Sequence, residues 1–401
     1  MRPASLEAVV ASGLCTGCGL CAGIGDGAVA MRLTGRGFLR PAVTRPLPPQ
    51  RLRRILDACP GIAIRAEAAA AHPLWGPMLD LRRAHAADPA LRFHGASGGA
   101  ISALLAHLLA TGAAEFVLQI AADDDAPLRN GPRRSFTAAE ILERSGSRYA
   151  PAAPLADLDA LLRAGRRFAV VGKPCDIAAL RSYARIEPAV DALIPCMISF
   201  FCAGVPSLRG TQLLLERMGV DEAELARLRY RGGGWPGMMT AETRSGRVAR
   251  MSYAESWGGE LHRHLQFRCK ICPDGTGELA DLVAADAWAT ADGYPDFEER
   301  DGWSVVIART PRGRALLRDG IAAGALVAEP LRPEALAAMQ PHQVRRKRTL
   351  AARLAALAVL GRHRPRFRGL RLWRNACRGG LGLPRAFAAT AVRVLQGRHR
   401  E

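Results

Sequence analysis

Three cysteines recur at intervals of three residues near the start of the chain: Cys15, Cys18 and Cys21. Glycines stand between them at positions 17 and 19, and glycine lets the backbone bend closely around a compact inorganic core. A [4Fe–4S] cluster takes four Cys thiolates, whereas zinc sites usually pair two C-x-x-C units or add histidines. The spacing therefore predicts ligands of an iron–sulfur cluster, and three structural cysteines are the alternative.

The fourth ligand of this cluster is predicted to be Cys59. The pair Cys59-Pro60 repeats the Cys-Pro ending of ferredoxin-type ligand sets, which bacterial ferredoxins place just after the triplet. The position where that nearby cysteine would stand is occupied by Gly25. A cysteine from a remote part of the chain is therefore needed to complete the set.

A second set of four cysteines lies farther along the chain. Two follow apolar segments and two form a C-x-x-C pair: Cys175, Cys202, Cys269 and Cys272. The apolar segments, residues 168–172 and 193–201, are typical of buried parallel strands, and open α/β sheets bind ligands at the carboxyl ends of such strands. The four thiols match the ligand count of a second [4Fe–4S] cluster. Cys196 competes for one of these places, but it lies inside the predicted strand and is interpreted as a core residue.

A glycine-rich turn precedes an apolar helix in the first half of the chain. Ser97-Gly98-Gly99 is followed by the helical pattern of residues 100–109. The first N–H groups of a helix lack partners within it and favour anions, so the turn suits a nucleotide phosphate. The alternative is a serine N-cap on a core helix. No G-x-G-x-x-G fingerprint follows a predicted strand, so a Rossmann-type dinucleotide site is not expected.

The composition limits the classes of protein to be considered. Apolar residues make up 49% of the 401 residues, which is ordinary for a globular chain of two or three domains. Ten cysteines in a chain this long are not a disulfide framework, and residues 1–7 lack the apolar run of a signal peptide. No segment reaches the ~20 consecutive apolar residues of a membrane span. These features predict a cytoplasmic protein whose reduced thiols bind metal.

The net charge of +19 is concentrated at one end of the chain. Residues 341–401 contain 16 Lys and Arg and one acid, so the first 340 residues carry only +4. Helix-length stretches at 350–360 and 386–395 indicate a basic, helical tail on an ordinary body. The tail is expected to be a solvated extension, or to associate reversibly with the inner face of an anionic membrane or with an acidic partner. Nucleic acid is not the expected partner, because no recognised binding motif accompanies the charge.

Predicted elements and turn signals divide the chain into four regions: 1–75, a small ferredoxin-like [4Fe–4S] domain; 76–165 and 166–340, the two parts of a core; and 341–401, the basic tail. In the first region, residues 28–33 and 38–43 are predicted to form a hairpin, and helix 51–58 delivers the fourth ligand of the first cluster. Residues 66–71 are interpreted as a linker. In the core, residues 122–134 are interpreted as a polar loop.

The chain resembles the beta-subunit family of coenzyme F420 hydrogenases and dehydrogenases, to which the 7-hydroxymethyl chlorophyll a reductases are related. The resemblance covers about residues 10–340. It rests on the two cysteine groups Cys15/Cys18/Cys21 and Cys269/Cys272 and on these motifs: Ser97-Gly98-Gly99, Gly146-Ser147-Arg148-Tyr149, Gly172-Lys173-Pro174-Cys175, Phe201-Cys202-Ala203-Gly204, Trp235-Pro236-Gly237 and Asp286-Ala287-Trp288. One departure is that Gly23-Ile24-Gly25 stands where the family often has Cys-Pro, which leaves the first cluster dependent on Cys59.

The resemblance implies an α/β fold whose mixed-sheet core binds FAD at a non-Rossmann site. The core is preceded by the ferredoxin-like iron–sulfur domain and followed by the basic helical tail, and two [4Fe–4S] clusters lie beside the flavin. In this interpretation the Ser97 turn contacts a flavin phosphate. The implied flavin-binding residues are Ser97, Gly98, Gly99, Ser147, Arg148, Tyr149, Lys173 and Trp235. His94 is a further polar group expected near the flavin.

The predicted function is that of an FAD-dependent iron–sulfur oxidoreductase. The protein would move electrons between a ferredoxin-like carrier or a partner subunit and an organic hydride donor or acceptor, such as a coenzyme F420-like deazaflavin or a tetrapyrrole. No catalytic acid or base is assigned. Two other functions stay open: a non-catalytic iron–sulfur relay subunit of a larger complex, and a zinc-stabilised binding module.

Overall fold

The computed structural model of the protein describes residues 3–67 and 71–400. Residues 68–70 of the predicted linker lie outside this description. The N-terminal helices and strands are α1 (Leu6–Ala11), α2 (Leu20–Gly23), β1 (Val29–Leu33), β2 (Leu39–Val43), α3 (Pro49–Ala58) and β3 (Ala63–Arg65). Strands β1 and β2 pair antiparallel, which confirms the predicted hairpin. Helix α3 begins with a proline, which suits the first helical turn, and it ends directly before Cys59.

The first part of the core alternates strands with helices, which is the pattern of an α/β fold. Its elements are β4 (Asp80–Ala86), α4 (Pro89–His94), α5 (Ala100–Ala110), β5 (Phe116–Ala122), β6 (Asn130–Ser135), α6 (Ala138–Glu143), α7 (Leu158–Arg163), β7 (Phe168–Val171), α8 (Pro174–Ala184), α9 (Ala189–Leu193), β8 (Met197–Phe200) and α10 (Leu208–Arg217). Strand β7 is a continuous apolar run because both faces of the sheet are covered at this point.

The second part of the core mixes strands with short helical segments. Its elements are β9 (Leu225–Arg229), β10 (Met239–Thr243), β11 (Val248–Met251), a π-helical segment (Ala254–Glu260), α11 (Phe267–Lys270), β12 (Leu282–Asp286), β13 (Thr290–Ala291), β14 (Tyr294–Pro295), β15 (Ser304–Ala308), α12 (Pro311–Ala322), β16 (Leu326–Pro330) and α13 (Ala335–Met339), with 3₁₀ turns at Glu222–Glu224 and Leu261–His264. Strands β9, β10 and β11 form a separate antiparallel sheet.

A large mixed sheet dominates the core. In the described part of the chain it has eight strands in the order β16-β4-β15-β12-β8-β7-β5-β6. The four strands β5, β7, β8 and β12 are parallel, and the strands on either side of them are antiparallel. Side chains alternate across the sheet: Phe116 packs with Ile177 of α8 on one face, and Val117 packs with Leu104 of α5 on the other. The parallel strands end at one edge, so the loops that follow them meet there.

Two boundaries and one element differ from the sequence predictions. The predicted strand 193–201 contains only β8, because residues 189–193 form helix α9. Residues 173–176 are expected from the sequence to form the loop after the strand, with a helix over 177–183, but helix α8 begins at Pro174, so Cys175 lies in its first turn. Part of the predicted polar loop 122–134 is strand β6, which pairs with β5 at the edge of the sheet.

Residues 341–400 of the basic segment are mainly helical, as predicted. Its elements are α14 (Pro341–Val359), β17 (Arg366–Arg368), α15 (Leu372–Ala376) and α16 (Gly382–Leu395). The segment packs against the body instead of extending into solvent. Strand β17 pairs in parallel with β3, and Leu350 and Leu354 of α14 share a buried cluster with Val9 and Ile271.

A buried carboxylate also attaches this segment to the core. Glu278 forms salt bridges with Lys347 of α14 and with Arg371, which precedes α15. Glu278 and Lys347 are both buried, so water screens their attraction only weakly. Across residues 3–67 and 71–400, no helix combines the length and the apolar character needed to cross a membrane.

Candidate functional site

The first set of cysteines converges around the loop that precedes α2: Cys15, Cys18, Cys21 and Cys59. Gly17 and Gly19 turn the backbone there with φ of 75° and 84°, conformations that residues with a Cβ rarely adopt. Burial raises the pKa of Cys21, and the other three thiols raise it further because they repel its thiolate. The backbone N–H of Gly17 donates a hydrogen bond to Cys15 Sγ at 3.4 Å.

The second set of cysteines converges at the carboxyl edge of the parallel strands: Cys175, Cys202, Cys269 and Cys272. Burial raises the pKa of Cys202 to about 12, and the neighbouring Cys269 contributes to the rise. The backbone N–H of Val205 and the side-chain amide of Gln266 each donate to Cys269 Sγ at 3.3 Å. The structure thus brings together the four residues that the sequence predicted as one ligand set.

The two thiol sets fit iron–sulfur clusters in ligand count, burial and hydrogen bonding. Buried, mutually repelling thiols favour the protonated form, and binding to a metal reverses that preference. Hydrogen bonds to sulfur are one of the features that set a cluster's reduction potential. Among the described residues, no group of three or more His, Cys, Asp or Glu side chains is arranged to hold a single metal ion. In a [4Fe–4S] cluster the four thiolates bind different iron atoms, so this finding does not bear on cluster binding, which stays a prediction.

One buried side chain connects the two sets. The amide nitrogen of Gln266 donates to the backbone oxygen of Thr16, inside the first set, and to Cys269 Sγ in the second, each at 3.3 Å. The amide oxygen accepts a hydrogen bond from Arg40 at 2.9 Å. Because arginine only donates, this contact fixes which end of the amide faces the thiol. At this point a single amide group separates the two sets.

A cavity of about 830 Å³ lies beside the second set of cysteines. Its volume is within the range of small-molecule and cofactor pockets. Cys202 and Cys269 form part of its wall, together with Lys173, which follows β7, and Asp286, which ends β12. A cofactor in this cavity would therefore lie against the second thiol set.

Six of the eight residues expected to contact flavin line this cavity: Ser97, Gly99, Ser147, Arg148, Tyr149 and Lys173. Gly98, Trp235 and the polar group His94 are not part of its wall. Gly98 faces the sheet instead, where its N–H donates to Ser304 Oγ at 3.0 Å and an added Cβ would meet the Ala84 oxygen at 2.9 Å. The flavin contacts themselves stay predictions.

The glycine-rich turn presents the start of helix α5 to the cavity. Gly99 is the N-cap residue with φ of 70°, and residues 100–102 continue along the wall. The N–H groups in the first turn of a helix have no acceptor inside the helix, so this end of α5 suits an anionic group. Ser97 does not cap the helix, because its hydroxyl donates to the Trp303 oxygen at 2.9 Å. The alternative of a serine N-cap is therefore wrong.

Arg148 and Lys173 are both held by neighbours within the fold. The Arg148 guanidinium donates to Asn130 Oδ1 at 2.7 Å and to the Leu228 oxygen at 2.5 Å, so it braces the start of β6 against β9. Lys173 Nζ lies 2.8 Å from the Asp176 carboxylate. Burial is the largest single influence and lowers the pKa of Lys173, but the charge and hydrogen bond of Asp176, together with Cys175 and Cys202, raise the pKa by more in total. Lys173 thus stays positively charged at the cavity wall.

A buried arginine that the sequence reasoning missed organises another part of the wall. Arg231 donates to both carboxylate oxygens of Asp286, at 3.0 and 2.8 Å, and lies 4.8 Å from the Tyr253 ring centre. Asp286 also accepts from Trp235 Nε1 at 2.8 Å, and Trp235 stacks on Trp288 with 4.7 Å between ring centres. Trp235 therefore supports the wall from behind. In the sequence, Arg231 is marked by the three glycines that follow it, at positions 232–234. That pattern does not indicate that Asp286 is the partner of Arg231.

The basic segment supplies the remaining part of the wall. Arg345, Arg346 and Arg353 of α14 all line the cavity. The Arg346 guanidinium donates to the backbone oxygens of Cys202 and Cys269, at 2.8 and 3.0 Å. The sequence reasoning missed these residues because a run of charges usually indicates a solvated face.

Known protein families match both parts of the core. The family model for the N-terminal part of the coenzyme F420 hydrogenase/dehydrogenase beta subunit matches residues 82–158, and the model for the C-terminal part of the same protein matches residues 165–334. The chain is 25% identical over 216 residues to the coenzyme F420 hydrogenase subunit beta of Methanococcus voltae, which covers 52% of this chain and 69% of that protein. It is 38% identical over 72 residues to the protein of the same name from Methanothermobacter thermautotrophicus, which covers 18% and 22%.

A solved structure shares the fold. It is a chain in the F420-reducing [NiFe] hydrogenase complex from Methanosarcina barkeri, with a TM-score of 0.55 and 22% identity over 71% of this chain and 96% of that chain. The segment 341–401 lies outside both ranges that the family models match.

Proposed function

The chain belongs to the coenzyme F420 hydrogenase/dehydrogenase beta-subunit family, and we propose that it is a flavin- and iron–sulfur-dependent oxidoreductase. The proposal is that FAD binds in the cavity and that each set of four cysteines binds a [4Fe–4S] cluster. When bound, FAD exchanges a hydride with an organic substrate and the clusters carry electrons singly.

The observation that carries the proposal is the continuity of the three sites. The cavity wall includes Cys202 and Cys269 of the second thiol set, and Gln266 links Cys269 to the first set. A two-electron site and two one-electron sites in this order would give electrons a short route from the cavity to the N-terminal region. A zinc-stabilised binding module would not require a cavity in contact with one thiol set and a second thiol set hydrogen-bonded to the first.

The residues of the wall have distinct proposed roles. The start of α5, after Gly99, would hold the flavin pyrophosphate. Trp288 and Tyr253 would provide an apolar, aromatic surface for a planar ring. The Arg231–Asp286 pair would fix these aromatic side chains in place. Arg148 and Lys173 are hydrogen-bonded within the protein, so their role is to shape the site and to set its positive potential.

The electron carrier would bind near the first thiol set, at the end of the route farthest from the cavity. The names of the relatives support a partner subunit for this role and a deazaflavin such as coenzyme F420 as the organic substrate. A ferredoxin-like protein is the other proposed carrier. The Methanosarcina barkeri neighbour is part of a complex, and this favours a second candidate function, a relay subunit without its own substrate.

Anaerobic purification of the whole chain tests these proposals. We expect about eight iron atoms per chain, matching two four-iron clusters, together with one FAD. Reduced ferredoxin should then support reduction of coenzyme F420 by the isolated protein. Clusters without flavin or turnover would favour the relay subunit, and zinc in place of iron would contradict both.

A further inference from the structure

The hairpin formed by β13 and β14 lies between the cavity and solvent. Its two strands pair antiparallel and have two residues each. Asp292 and Gly293 form the turn with φ of 50° and 75°, the left-handed conformations that two-residue hairpin turns favour. Residues 290–294 are exposed, while Tyr294 and Pro295 also line the cavity. The hairpin therefore covers one side of the cavity.

Few contacts hold this hairpin in place. Its strands form a separate two-stranded sheet, and isolated hairpins of this kind are at best marginally stable in water. Within residues 3–67 and 71–400, a single hydrogen bond joins residues 290–295 to another element: it connects Tyr294 Oη with His342 Nε2 of α14, at 2.9 Å. The same two rings meet edge to face, with 5.9 Å between their centres. The position of the hairpin thus depends on side-chain contacts and not on a backbone ladder with the core.

The direction of this hydrogen bond follows from a third residue. Arg345 Nη2 lies 3.4 Å from His342 Nδ1, and because arginine only donates, Nδ1 is the acceptor. Burial lowers the pKa of His342, and nearby positive groups lower it further, so the imidazole is neutral near pH 7. Its one proton is therefore on Nε2, which donates to the Tyr294 oxygen.

Phe297 extends the cover beyond the hairpin. Its ring lies edge-on to Trp288, with 4.9 Å between centres, and 5.7 Å from the Tyr253 ring. Trp288 and Tyr253 form the aromatic surface to which a planar ring is proposed to bind. Phe297 therefore shields part of that surface while the segment is in this position.

Both ends of the covering segment are anchored to the core. Before it, Trp288 stacks on Trp235 with 4.7 Å between ring centres. After it, the Arg300 N–H donates to the Trp235 oxygen at 2.9 Å. Fixed ends and a weakly held middle are the arrangement expected of a loop that opens and closes over a site.

We propose that residues 289–297 form a lid over the cavity, and that the Tyr294–His342 hydrogen bond is the latch that controls entry of the organic redox substrate. The inference rests on the proposed function for the molecule that is admitted, whereas the lid and its latch are features of the fold. His342 lies on α14, outside both ranges that match the family models, so the latch connects the family core to a segment beyond it.

Hydrogen–deuterium exchange of the anaerobically purified holoprotein, followed by mass spectrometry, tests the latch. Tyr294→Phe should increase exchange of residues 289–297 by about threefold to tenfold, because one hydrogen bond no longer opposes opening and a released hairpin loses its ladder. The matched control is Tyr183→Phe, which removes a tyrosine hydroxyl that bonds to Asp159 at 3.1 Å and does not line the cavity. This control should leave exchange of the lid unchanged.

A double-mutant cycle tests whether the two side chains act as a pair. His342→Leu removes the other half of the hydrogen bond and should also increase exchange of the lid. The double variant Tyr294→Phe/His342→Leu should exchange no faster than the faster single variant, because either substitution alone already breaks the latch. Fully additive effects would show that the two residues act independently.

The size of the electron donor tests the control of entry. Dithionite is a small donor and reduced coenzyme F420 is a large one, and stopped-flow absorbance measures the second-order rate constant for reduction of bound FAD by each. In Tyr294→Phe the ratio of the large donor's rate constant to the small donor's should rise severalfold, because a larger fraction of the protein is open.

Two results would overturn the inference. Equal exchange of residues 289–297 in Tyr294→Phe and the unmodified protein would mean that the bond is not a latch. Faster exchange with an unchanged ratio of rate constants would mean that the lid does not control entry. The proposed function fails separately, by absence of iron and FAD in the unmodified protein, and the exchange measurement does not depend on turnover.

Discussion

Gln266 directs an N–H group at a thiol that a cluster would use, and the effect of this bond is measurable. A hydrogen bond to a thiolate stabilises the more negative, reduced state of a cluster. Replacing Gln266 with Leu removes the bond to Cys269 Sγ at similar volume. We expect the midpoint potential of the second cluster to fall, on the order of tens of millivolts. An EPR-monitored redox titration measures the shift.

Gln343 provides the matched control for this experiment. It is also a buried glutamine beside the second set, but it donates to the backbone oxygen of Cys202 rather than to a sulfur. Gln343→Leu should therefore leave the potential close to that of the unmodified protein. Equal potentials in all three proteins, with both clusters present, would show that the Gln266 bond has no influence on the cluster.

The assignment of Cys59 to the first set is tested by removing its thiol. Cys59→Ala should reduce the iron content from about eight to about four atoms per chain, because only the first cluster loses a ligand. Cys196→Ala is the control, since this thiol lies in the apolar core between the sheet and α5. Anaerobic iron analysis distinguishes the two variants. Full iron content in Cys59→Ala would mean that another group completes the first set.

The thiols were predictable from the sequence, while their hydrogen-bonding partners were not. Cysteines at intervals of three have a chemical meaning that does not depend on the fold. Gln266 and Arg231 act through partners such as Thr16 and Asp286, which lie 250 and 55 residues away along the chain. No local pattern can indicate a contact between residues so far apart.

The start of helix α5 is the element on which flavin binding is predicted to depend. The variant Ser102→Glu would place a carboxylate on the cavity wall in the first turn of this helix. Acidic residues stabilise helix N-termini, so the fold should be preserved, but the charge should repel a flavin pyrophosphate. We expect a lower FAD content with unchanged iron, measured on the anaerobically purified protein.

The neutral variant Ser102→Gln is the matched control, because it has nearly the same size without the charge. It should retain more FAD than Ser102→Glu. Equal FAD content in the two variants would place the pyrophosphate elsewhere. Gly98 is unsuitable for this test, because a Cβ there would meet the backbone of Ala84 and Ser304 and disturb the sheet itself.

Elements differ in how well the sequence predicted them, for physical reasons. Strand β7 was predicted because buried parallel strands read as continuous apolar runs. Strand β6, residues 130–135, was missed: it contains Gly131 and Pro132 and has no alternating pattern. Such a sequence is tolerated at a sheet edge, where β5 is the neighbour that pairs with it. The start of α8 was missed because Pro174 was interpreted as a loop residue, although proline also suits the first turn of a helix.

One buried carboxylate, Glu278, contributes to the attachment of the basic segment to the body. Glu278→Gln would leave Lys347 and Arg371 without their acidic partner, and breaking a buried ion pair in this way costs about 3–5 kcal/mol. We expect this decrease in the free energy of unfolding, measured by denaturant titration. The control Glu329→Gln removes an exposed salt bridge with Arg83, and it should cost no more than about 1 kcal/mol. Similar effects of both substitutions would mean that the Glu278 contacts do not secure the segment.

The same carboxylate predicts how stability depends on pH. Burial raises the pKa of Glu278, but Lys347 and Arg371 outweigh burial and lower it below the ordinary value of 4.5. A lowered pKa in the folded state means that the stabilisation is fully present above the unfolded-state pKa. It is lost as the pH falls through the lowered, folded-state value. The difference in unfolding free energy between the unmodified protein and Glu278→Gln should therefore shrink in acid.

At the scale of the whole molecule, the outer surface of the basic segment predicts association with an anionic membrane. Trp373 and Leu381 are 79% and 80% exposed, and they lie among arginines of residues 362–398. Basic residues near anionic lipid contribute about 1 kcal/mol each, and exposed apolar side chains add to this when they enter the interface. We expect the full-length protein to sediment with phosphatidylserine liposomes at low salt and to be released as the salt concentration rises. Deleting residues 341–401 would not test this, because α14 shares a buried apolar cluster with the rest of the protein and lines the cavity.

Substitution of surface residues separates this association from folding. Trp373→Ser/Leu381→Ser should reduce sedimentation while leaving the iron content unchanged. The control Val327→Ser changes an exposed apolar residue of β16, outside the basic segment, and should sediment like the unmodified protein. If the unmodified protein stays in the supernatant at low salt, the membrane prediction is wrong. The exposed tryptophan and its arginines would then have to be explained by an acidic protein partner, which a pull-down with reduced ferredoxin would test directly.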